Sequence, residues 1–282
     1  MEYLSQMGQD RWVAEVLQHK RGGYYLDFGA FDGVLTSNSL FLERSLGWEG
    51  ICVEANPTTY PVLCRERRCI TVNAALWSES RQSVEILDAH GLSSIVTFAD
   101  HDSVGDLRRS ITLRRINVDT INPMDLLTRF NVPELIDYLS LDIEGCELNV
   151  LKAMDLKRYK IALMTVEHAS IPDRKAAVRD MLLPLGYQFV DYGCDDWFYH
   201  LDHLRDLTHG LGFSDPVEIL SKVKASFPLK GFGEDSSQAP LPEDFDPDAY
   251  LDANPDVAIV GMAPDYHYRT FGRQENRPLR RG

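Results

Sequence analysis

The 282-residue sequence predicts an α/β fold: a mostly parallel sheet with helices on both faces, closed by an antiparallel hairpin and followed by a small helical module. Three observations predict it. Short apolar runs alternate with helix-period stretches through most of the chain, the pattern of parallel strands joined by crossover helices. The first such stretch reads as strand, glycine turn, helix and second strand, and Asp27 and Glu54 near its two strand ends are 27 residues apart, about one β-α-β unit. The last two strand-like runs, Gln188–Val190 and Trp197–Tyr199, are joined by a short acidic turn, which forces an antiparallel pair.

Residues 1–20 open with the polar Ser5-Gln6-Met7-Gly8-Gln9-Asp10, then place Trp12, Val13, Val16 and Leu17 on one stripe of a helix. The polar run can cap that helix or fold over a ligand mouth. Tyr24–Phe28 is the first strand, Gly29-Ala30-Phe31-Asp32-Gly33 the turn, and Ser37–Leu46 the helix, with Ser37 or Asn38 as its cap. Ile51–Val53 is the second strand, ending on Glu54. A helix over Pro57–Arg67 leads to a third strand, Cys69–Val72, ending on Asn73.

Between residues 81 and 119 the texture changes to antiparallel strands, Val84–Leu87 and a second run from Ser110 to Val118, with Gly91–Ser94 and His101-Asp102 as loops. The α/β alternation then resumes. Pro123–Arg129 is a helix, Ile136–Leu141 a strand, Glu144–Met154 a helix, Ile161–Val166 a strand and Asp173–Leu185 a helix. This gives a domain over 1–205. Residues 206–243 are a helix (Ser214–Ala225) and a linker from Phe227 to Pro242, rich in Pro, Gly, Ser and acids. Residues 244–282 form a small module of their own: eight acids and no base lie between Glu234 and Asp256, and five arginines with one acid follow Tyr266, so its halves attract each other. Asp244, Asp246 and Asp248 alternate as in a calcium loop but lack its glycine and distal Glu.

Net charge is -14, so no global field favours nucleic acid or an anionic membrane. Apolar runs are strand-sized, well short of the ~20 residues of a membrane span. The first residues lack the charged and apolar regions of a signal peptide, and the expected location is the cytoplasm. The five cysteines, at 52, 64, 69, 146 and 194, form no Cys-x-x-Cys pair and read as buried thiols rather than a zinc or disulfide framework.

A glycine turn after a first strand serves several nucleotide cofactors, and the acids narrow the choice. Asp27, two residues before Gly29, offers nothing to a pyrophosphate but suits the positive charge of a sulfonium or an ammonium group. Glu54, at the tip of the second strand, can accept both hydroxyls of a ribose. Asn73, at the tip of the third, can donate to and accept from an adenine. S-adenosylmethionine fits these placements better than a dinucleotide. Asp142 and Glu144 follow the fourth parallel strand, and Glu167-His168 the next. Carboxylates and an imidazole on adjacent strand tips make either an acid/base group or a hard-metal site, in which Asp142, Glu144 and Glu167 would hold a magnesium ion. Glu147 reads as a solvated helix residue and Asp195-Asp196 as a turn in reach of a substrate.

Together these phrases resemble the FkbM-type methyltransferases. The resemblance rests on Ser5-Gln6-x-Gly8-Gln9-Asp10, Asp27 to Gly33, Ser37-Asn38, Leu42-Glu43, Gly47-Trp48-Glu49-Gly50, Val53-Glu54-Ala55-Asn56-Pro57, Leu141 to Gly145, Glu167-His168 and Asp195-Asp196-Trp197-Phe198, and covers residues 3 to 200. It implies a Rossmann-like class I methyltransferase with a seven-stranded sheet, S-adenosylmethionine as cofactor and O-methyl transfer. Asp27, Gly29 and Ala30 would line the methionine side and Glu54 the ribose, with Gly33, Ser37, Asn38, Asn73 and Asp142 in the same cofactor set. Phe31 replaces the second glycine of the general methyltransferase turn. The tail, from Phe245 through Asn254-Pro255-Asp256 to Phe271-Gly272-Arg273, looks like a short module found beside bacterial glycosyltransferases, which directs the acceptor expectation to a sugar or glycan. His168 or Asp142 would take the acceptor proton, with Glu144 and Glu167 orienting it. A nicotinamide oxidoreductase and a non-catalytic glycan-binding protein are the two alternatives. A homo-oligomer is left open.

Overall fold

In the computed structural model, described over residues 2–99, 105–226, 240–259, 264–272 and 277–281, two sheets carry the chain. The expected loop at His101-Asp102 and most of the expected linker lie outside the described residues.

The chain enters through α1 (Gln9–Val16), which buries Trp12, Val13 and Val16 as its sequence period requires. The polar run before it is tied up by Asp10, whose carboxylate accepts from the Leu4 amide at 2.7 Å and the Arg11 amide at 2.7 Å. β1 (Tyr24–Phe28) follows, then α2 (Leu40–Leu46), β2 (Glu49–Glu54), α3 (Tyr60–Glu66) and β3 (Ile70–Asn73). Two of these helices start three residues later than expected. Ser37 holds the Leu40 amide at 3.2 Å and Asn56 the Thr58 amide at 2.8 Å, so side chains close turns where the sequence period alone suggests helix.

β4 (Ala75–Leu76), β5 (Ser83–Asp88), β6 (Ser94–Ile95) and β7 (Arg114–Ile121) form a second sheet in the order β4-β7-β5-β6. The expected strand from Ser110 begins as helix: α4 (Gly105–Ile111) precedes β7. α5 (Pro123–Arg129) falls where its signals place it, with Asn122 accepting from the Met124 amide at 2.7 Å and proline in its first turn. β8 (Leu135–Leu141), α6 (Glu147–Ala153), β9 (Lys160–Glu167), α7 (Pro172–Leu182), β10 (Gln188–Tyr192) and β11 (Asp195–Tyr199) complete the domain. Asp195 and Asp196 lie in β11 rather than in a turn; Gly193, with a φ of 81°, and Cys194 make the reversal.

The large sheet has seven strands in the order β10-β11-β9-β8-β1-β2-β3. β1, β2, β3, β8 and β9 run parallel, and β11 pairs antiparallel with β9 and β10. This is the expected Rossmann-like arrangement, with its closing strand antiparallel. Strand alternation divides its core between the two faces: Leu26, Phe28, Ile51, Val53, Leu139 and Leu141 pack on one side, and Tyr25, Cys52, Tyr138, Trp12 and Trp197 on the other.

α8 (Leu201–Thr208) crosses the boundary expected at residue 205. α9 (Pro216–Ser226) buries Leu220 and Val223 in the core layer that holds Trp12. In the C-terminal part, α10 (Pro247–Ala253), α11 (Pro255–Ile259) and α12 (Pro264–His267) surround Tyr250, whose hydroxyl meets His267 Nδ1 at 2.8 Å. Asp246 caps α10 through the Asp248 and Ala249 amides at 3.0 and 3.1 Å, and Asp244 lies 3.9 Å from Arg280. Asp246 is thus accounted for by a helix cap and Asp244 by an ion pair, while Asp248 is an acid in the first turn of α10. Among the described residues, no helix is long and apolar enough to cross a membrane.

Candidate functional site

Strand order reverses between β1 and β8, and in open α/β sheets the crevice beyond the carboxyl ends of the strands at that point is where ligands bind. A cleft of about 590 Å³ opens there. Its walls are Gly29 and Phe31 after β1, Glu54 and Ala55 at β2, Ala74 to Leu76 after β3, the loop from His90 to Ile95, and Asp142 to Glu144 after β8.

Gly29 is required by packing. With a φ of 92°, its added Cβ would stand 1.7 Å from the Asp142 carbonyl oxygen, because the tip of β8 passes directly across the turn. The Gly29 and Ala30 amides both donate to the Val53 carbonyl at 3.0 Å, fastening the turn to β2. Phe31, where a second glycine would stand in the general motif, adopts a φ of 49°, and its amide donates to Glu54 Oε2 at 2.9 Å. The Asn56 amide donates to the other oxygen, Oε1, at 2.7 Å. Each Glu54 oxygen keeps an acceptor direction for a ligand. Burial pushes the Glu54 carboxyl up to about 7.

Oxygens of Asp142 and Glu144, which line the cleft, and of Glu167 at the end of β9, which is not among its lining residues, all lie within 4.8 Å of one another. Asp142 and Glu167 are held well above the usual carboxylate range, first by burial and then by neighbouring negative charge, from Glu144 and Asp195 on Asp142 and from Asp142 on Glu167. Glu144 has a φ of 60°, and Arg108 from the second sheet's helix reaches it at 2.6 Å. Ser94 donates to the Glu144 carbonyl at 2.7 Å. Expected as the first residue of a helix, Glu144 instead lies in a loop three residues before α6. Glu147, expected to be solvated, is buried and accepts from the Ile143 and Gly145 amides at 3.1 and 2.9 Å, pinning that loop. The N-terminal run reaches the same end of the sheet: Gln9 donates to Asp195 at 3.0 Å.

Several expected site residues lie elsewhere. Asp27 is buried but does not line the cleft. Its alternation in β1 sets it on the side of Tyr25, where Ser39 donates to it and Arg67 lies 3.9 Å away. Arg67 supplies the cation that the sequence reading assigned to a sulfonium. The same guanidinium donates to Glu43 at 3.0 Å, to the Tyr25 hydroxyl at 2.8 Å, to Ser39 at 2.9 Å and to Ser37 at 3.3 Å. Ser37 is therefore occupied in this buried cluster, and Gly33, where a Cβ would stand 2.7 Å from Arg67 Cγ, packs against it.

Asn73 is exposed and donates to the Glu54 and Ala55 carbonyls at 2.8 and 3.1 Å, so its amide joins strand tips rather than facing the cleft. His168 is buried away from the cleft walls. Its Nδ1 accepts from the Ser170 amide at 3.2 Å, and its Nε2 faces Asp196 at 3.6 Å, which Arg179 holds with two bonds of 2.6 and 2.7 Å. An imidazole so placed steadies the loop after Glu167; its Nε2 is buried without a hydrogen-bond partner and does not line the cleft. Asn38 donates to Ser140 at 2.9 Å, leaving its Oδ1 buried without a hydrogen-bond partner. An orphaned acceptor beside the strand tips is unusual and suits a donor from a ligand.

Arg108, Ser94 and the loop from His90 to Ile95 were missed by sequence reasoning. They come from the second sheet, whose sequence carries no motif, and only their packing across β8 brings them to the site.

A family model described as the methyltransferase FkbM domain matches residues 27–207. No curated protein matches the sequence. Among solved structures, a human methyltransferase 10 domain containing protein is 11% identical, with 69% of this chain and 81% of that chain covered and a TM-score of 0.37. The precorrin-6y C5,15-methyltransferase from Geobacter metallireducens GS-15 is 11% identical, covering 67% and 84%, with a TM-score of 0.36. The M. jannaschii TYW2 in complex with AdoMet is 12% identical, covering 71% and 78%, with a TM-score of 0.32.

Proposed function

Since the chain belongs to the FkbM methyltransferase domain family, whose members use S-adenosylmethionine, we propose that it transfers the methyl group to a hydroxyl of a sugar or glycan. Membership removes the nicotinamide alternative. The observation that carries the acceptor reading is the convergence of Glu167 within 4.8 Å of Asp142 and Glu144, two residues that line the same cleft as Glu54. Carboxylates accept hydrogen bonds from neighbouring hydroxyls, and when two crowded carboxyls hold one proton between them the one left ionised is a competent base for an alcohol.

In this reading Glu54 accepts the ribose hydroxyls, and Asn38 Oδ1 accepts from the ammonium of the methionine part. The cofactor supplies an activated methyl group with a neutral thioether as leaving group. The protein's task is alignment and proton handling. With the cofactor bound, whichever of Asp142 and Glu167 is ionised would take the hydroxyl proton of the acceptor as the methyl group is transferred. Glu144, balanced by Arg108, orients the acceptor. His168 serves as a positioning residue for the loop that carries Glu167.

A second reading, favoured by the same 4.8 Å convergence, places a magnesium ion on Asp142, Glu144 and Glu167, where three hard oxygen donors suit it. Labelled methyl transfer from S-adenosylmethionine onto lipopolysaccharide and nucleotide-sugar pools, with and without EDTA, tests both. Label on a sugar oxygen that Asp142→Asn abolishes is expected. Label confined to protein or nucleic acid overturns the acceptor class, and loss with EDTA that added magnesium restores selects the metal reading.

A further inference from the structure

Behind the cofactor turn, on the face of the sheet opposite the cleft's apolar core, two thiols meet. The Sγ atoms of Cys52 and Cys69 are 3.4 Å apart, within sulfur hydrogen-bond reach. Cys52 is central in β2, fully buried, and lies beside Asp27 in the β1–β2 register. Cys69 is half-buried, one residue before β3. The Cys52 thiol first, and Arg67 after it, hold the Cys69 thiol below its ordinary value, whereas burial pushes Cys52 up. One sulfur is thus reachable and nucleophilic, and its neighbour is sheltered: the arrangement of a peroxide-sensing thiol with a resolving partner.

We propose that Cys69 and Cys52 are an oxidation site at which a peroxide forms a reversible disulfide that loosens the cofactor turn. The Cys69 thiolate attacks one peroxide oxygen and breaks the O–O bond, giving a sulfenic acid and, for hydrogen peroxide, hydroxide. The Cys52 sulfur then attacks the sulfenic sulfur. In sum two thiols and one hydrogen peroxide give one disulfide and two waters.

The consequence follows from register. Thr71 is the partner of Cys52 in β3, so Cys69 sits two residues upstream on the same face. The two Sγ atoms stand 3.4 Å apart against the ~2.05 Å of a disulfide, so the bond forms only if the two segments move together. Closing the bond therefore draws residues 67–69 toward β2. Arg67, two residues before Cys69, is the group that ties Asp27, Ser37, Ser39 and Glu43 together beneath the turn. Its displacement strips the cation from Asp27 and the support from the start of α2.

The cofactor effect rests on the methyltransferase reading; the disulfide does not. The test uses the full chain with exposed Cys64 changed (Cys64→Ser), treated with hydrogen peroxide. Non-reducing peptide mass spectrometry reads the bond, and titration with S-adenosylhomocysteine reads the site. The expected result is a 52–69 linked peptide, absent from Cys69→Ser, with cofactor affinity lowered by about tenfold or more and restored by dithiothreitol. Failure to form that peptide overturns the proposal outright. A linked peptide with unchanged affinity overturns the coupling to the turn, whereas no binding even by the reduced protein overturns the cofactor site itself.

Discussion

Replacing Glu54 by glutamine tests the cleft at its ribose end, and the structure gives the size and sign of the effect. The Glu54 carboxyl is raised by burial from an ordinary 4.5 to about 7, so keeping it ionised in the empty protein costs about 3 kcal/mol. The folded state binds the extra proton. Stability from this group is therefore full below about pH 4.5 and lost as the pH rises through about 7. Glutamine does not titrate. The Glu54→Gln protein should show a flatter profile of melting temperature over that window, diverging from the wild type by about 3 kcal/mol in total. The substitution also turns one oxygen into a donor that faces either the Phe31 or the Asn56 amide, and it removes a charged acceptor from the ribose. A hydrogen bond to a charged group contributes about 1.5–3 kcal/mol, so affinity should fall about 10- to 150-fold. Calorimetric titration with S-adenosylhomocysteine from pH 5.5 to 8.5 is the assay. Wild-type binding should weaken as the pH drops below about 7, and mutant binding should not. Equal affinity in the two proteins, with the same pH dependence, would refute the ribose assignment.

Three further outcomes follow from the site. Asp142→Asn removes one of the crowded carboxylates, so it should raise the melting temperature by about 2–4 °C at neutral pH while cutting methyl transfer by about 100-fold or more; a drop in both would show that Asp142 is structural. His168→Ala strands the Ser170 amide and leaves Asp196 with Arg179 alone. Stability should fall by about 1–3 kcal/mol in urea unfolding with S-adenosylhomocysteine affinity retained, and loss of turnover in a protein of unaltered stability would return His168 to the chemistry. Gly29→Ala forces a Cβ within 1.7 Å of the Asp142 carbonyl at a φ of 92°, so the folded protein, if recovered at all, should fail to bind cofactor; wild-type affinity in that variant would refute the packing account.

The order of the strands, the glycine turn and the acids at the strand tips were legible because each depends on local pattern. Gly29 and Glu54 stand out in sequence for the reasons they matter in space: a turn that another strand tip crosses, and an acid at the end of a strand. Asp27 misled for a reason the sequence itself contains. In a strand with apolar Leu26 and Phe28 on one face, Asp27 shares the other with Tyr25 and faces the helices there. Its partner, Arg67, lies forty residues away and carries no motif, so the ion pair that occupies Asp27 could not be read. His168 follows a strand tip, as a catalytic base would, but the left-handed Ala169 and Ser170 after it, with φ values of 51° and 57°, fold the loop back onto its ring. The strands of the second sheet were legible from their alternation, but Arg108 on Glu144 was not, because alternation without motif does not tell what a connecting helix delivers.

The helix starts show the smaller failure. Ser37 lies inside and Asn56 beside an expected helix, yet the Ser37 hydroxyl accepts the amides two and three residues further on, and the Asn56 side-chain oxygen the amide two residues on, holding the chain in turns. At Asn56 this matters for the site, since the turn also brings its amide to Glu54.

In the proposed function the cleft between Glu54 and Asp142 holds the cofactor with its reactive end toward the three carboxylates. A crystal structure of the protein with S-adenosylhomocysteine tests it most directly. The predicted result is both ribose hydroxyls within hydrogen-bond distance of Glu54 and the sulfur on the side of Asp142 and Glu167. An adenosyl group bound outside that cleft, or one inside it with the ribose turned away from Glu54, would contradict the claim.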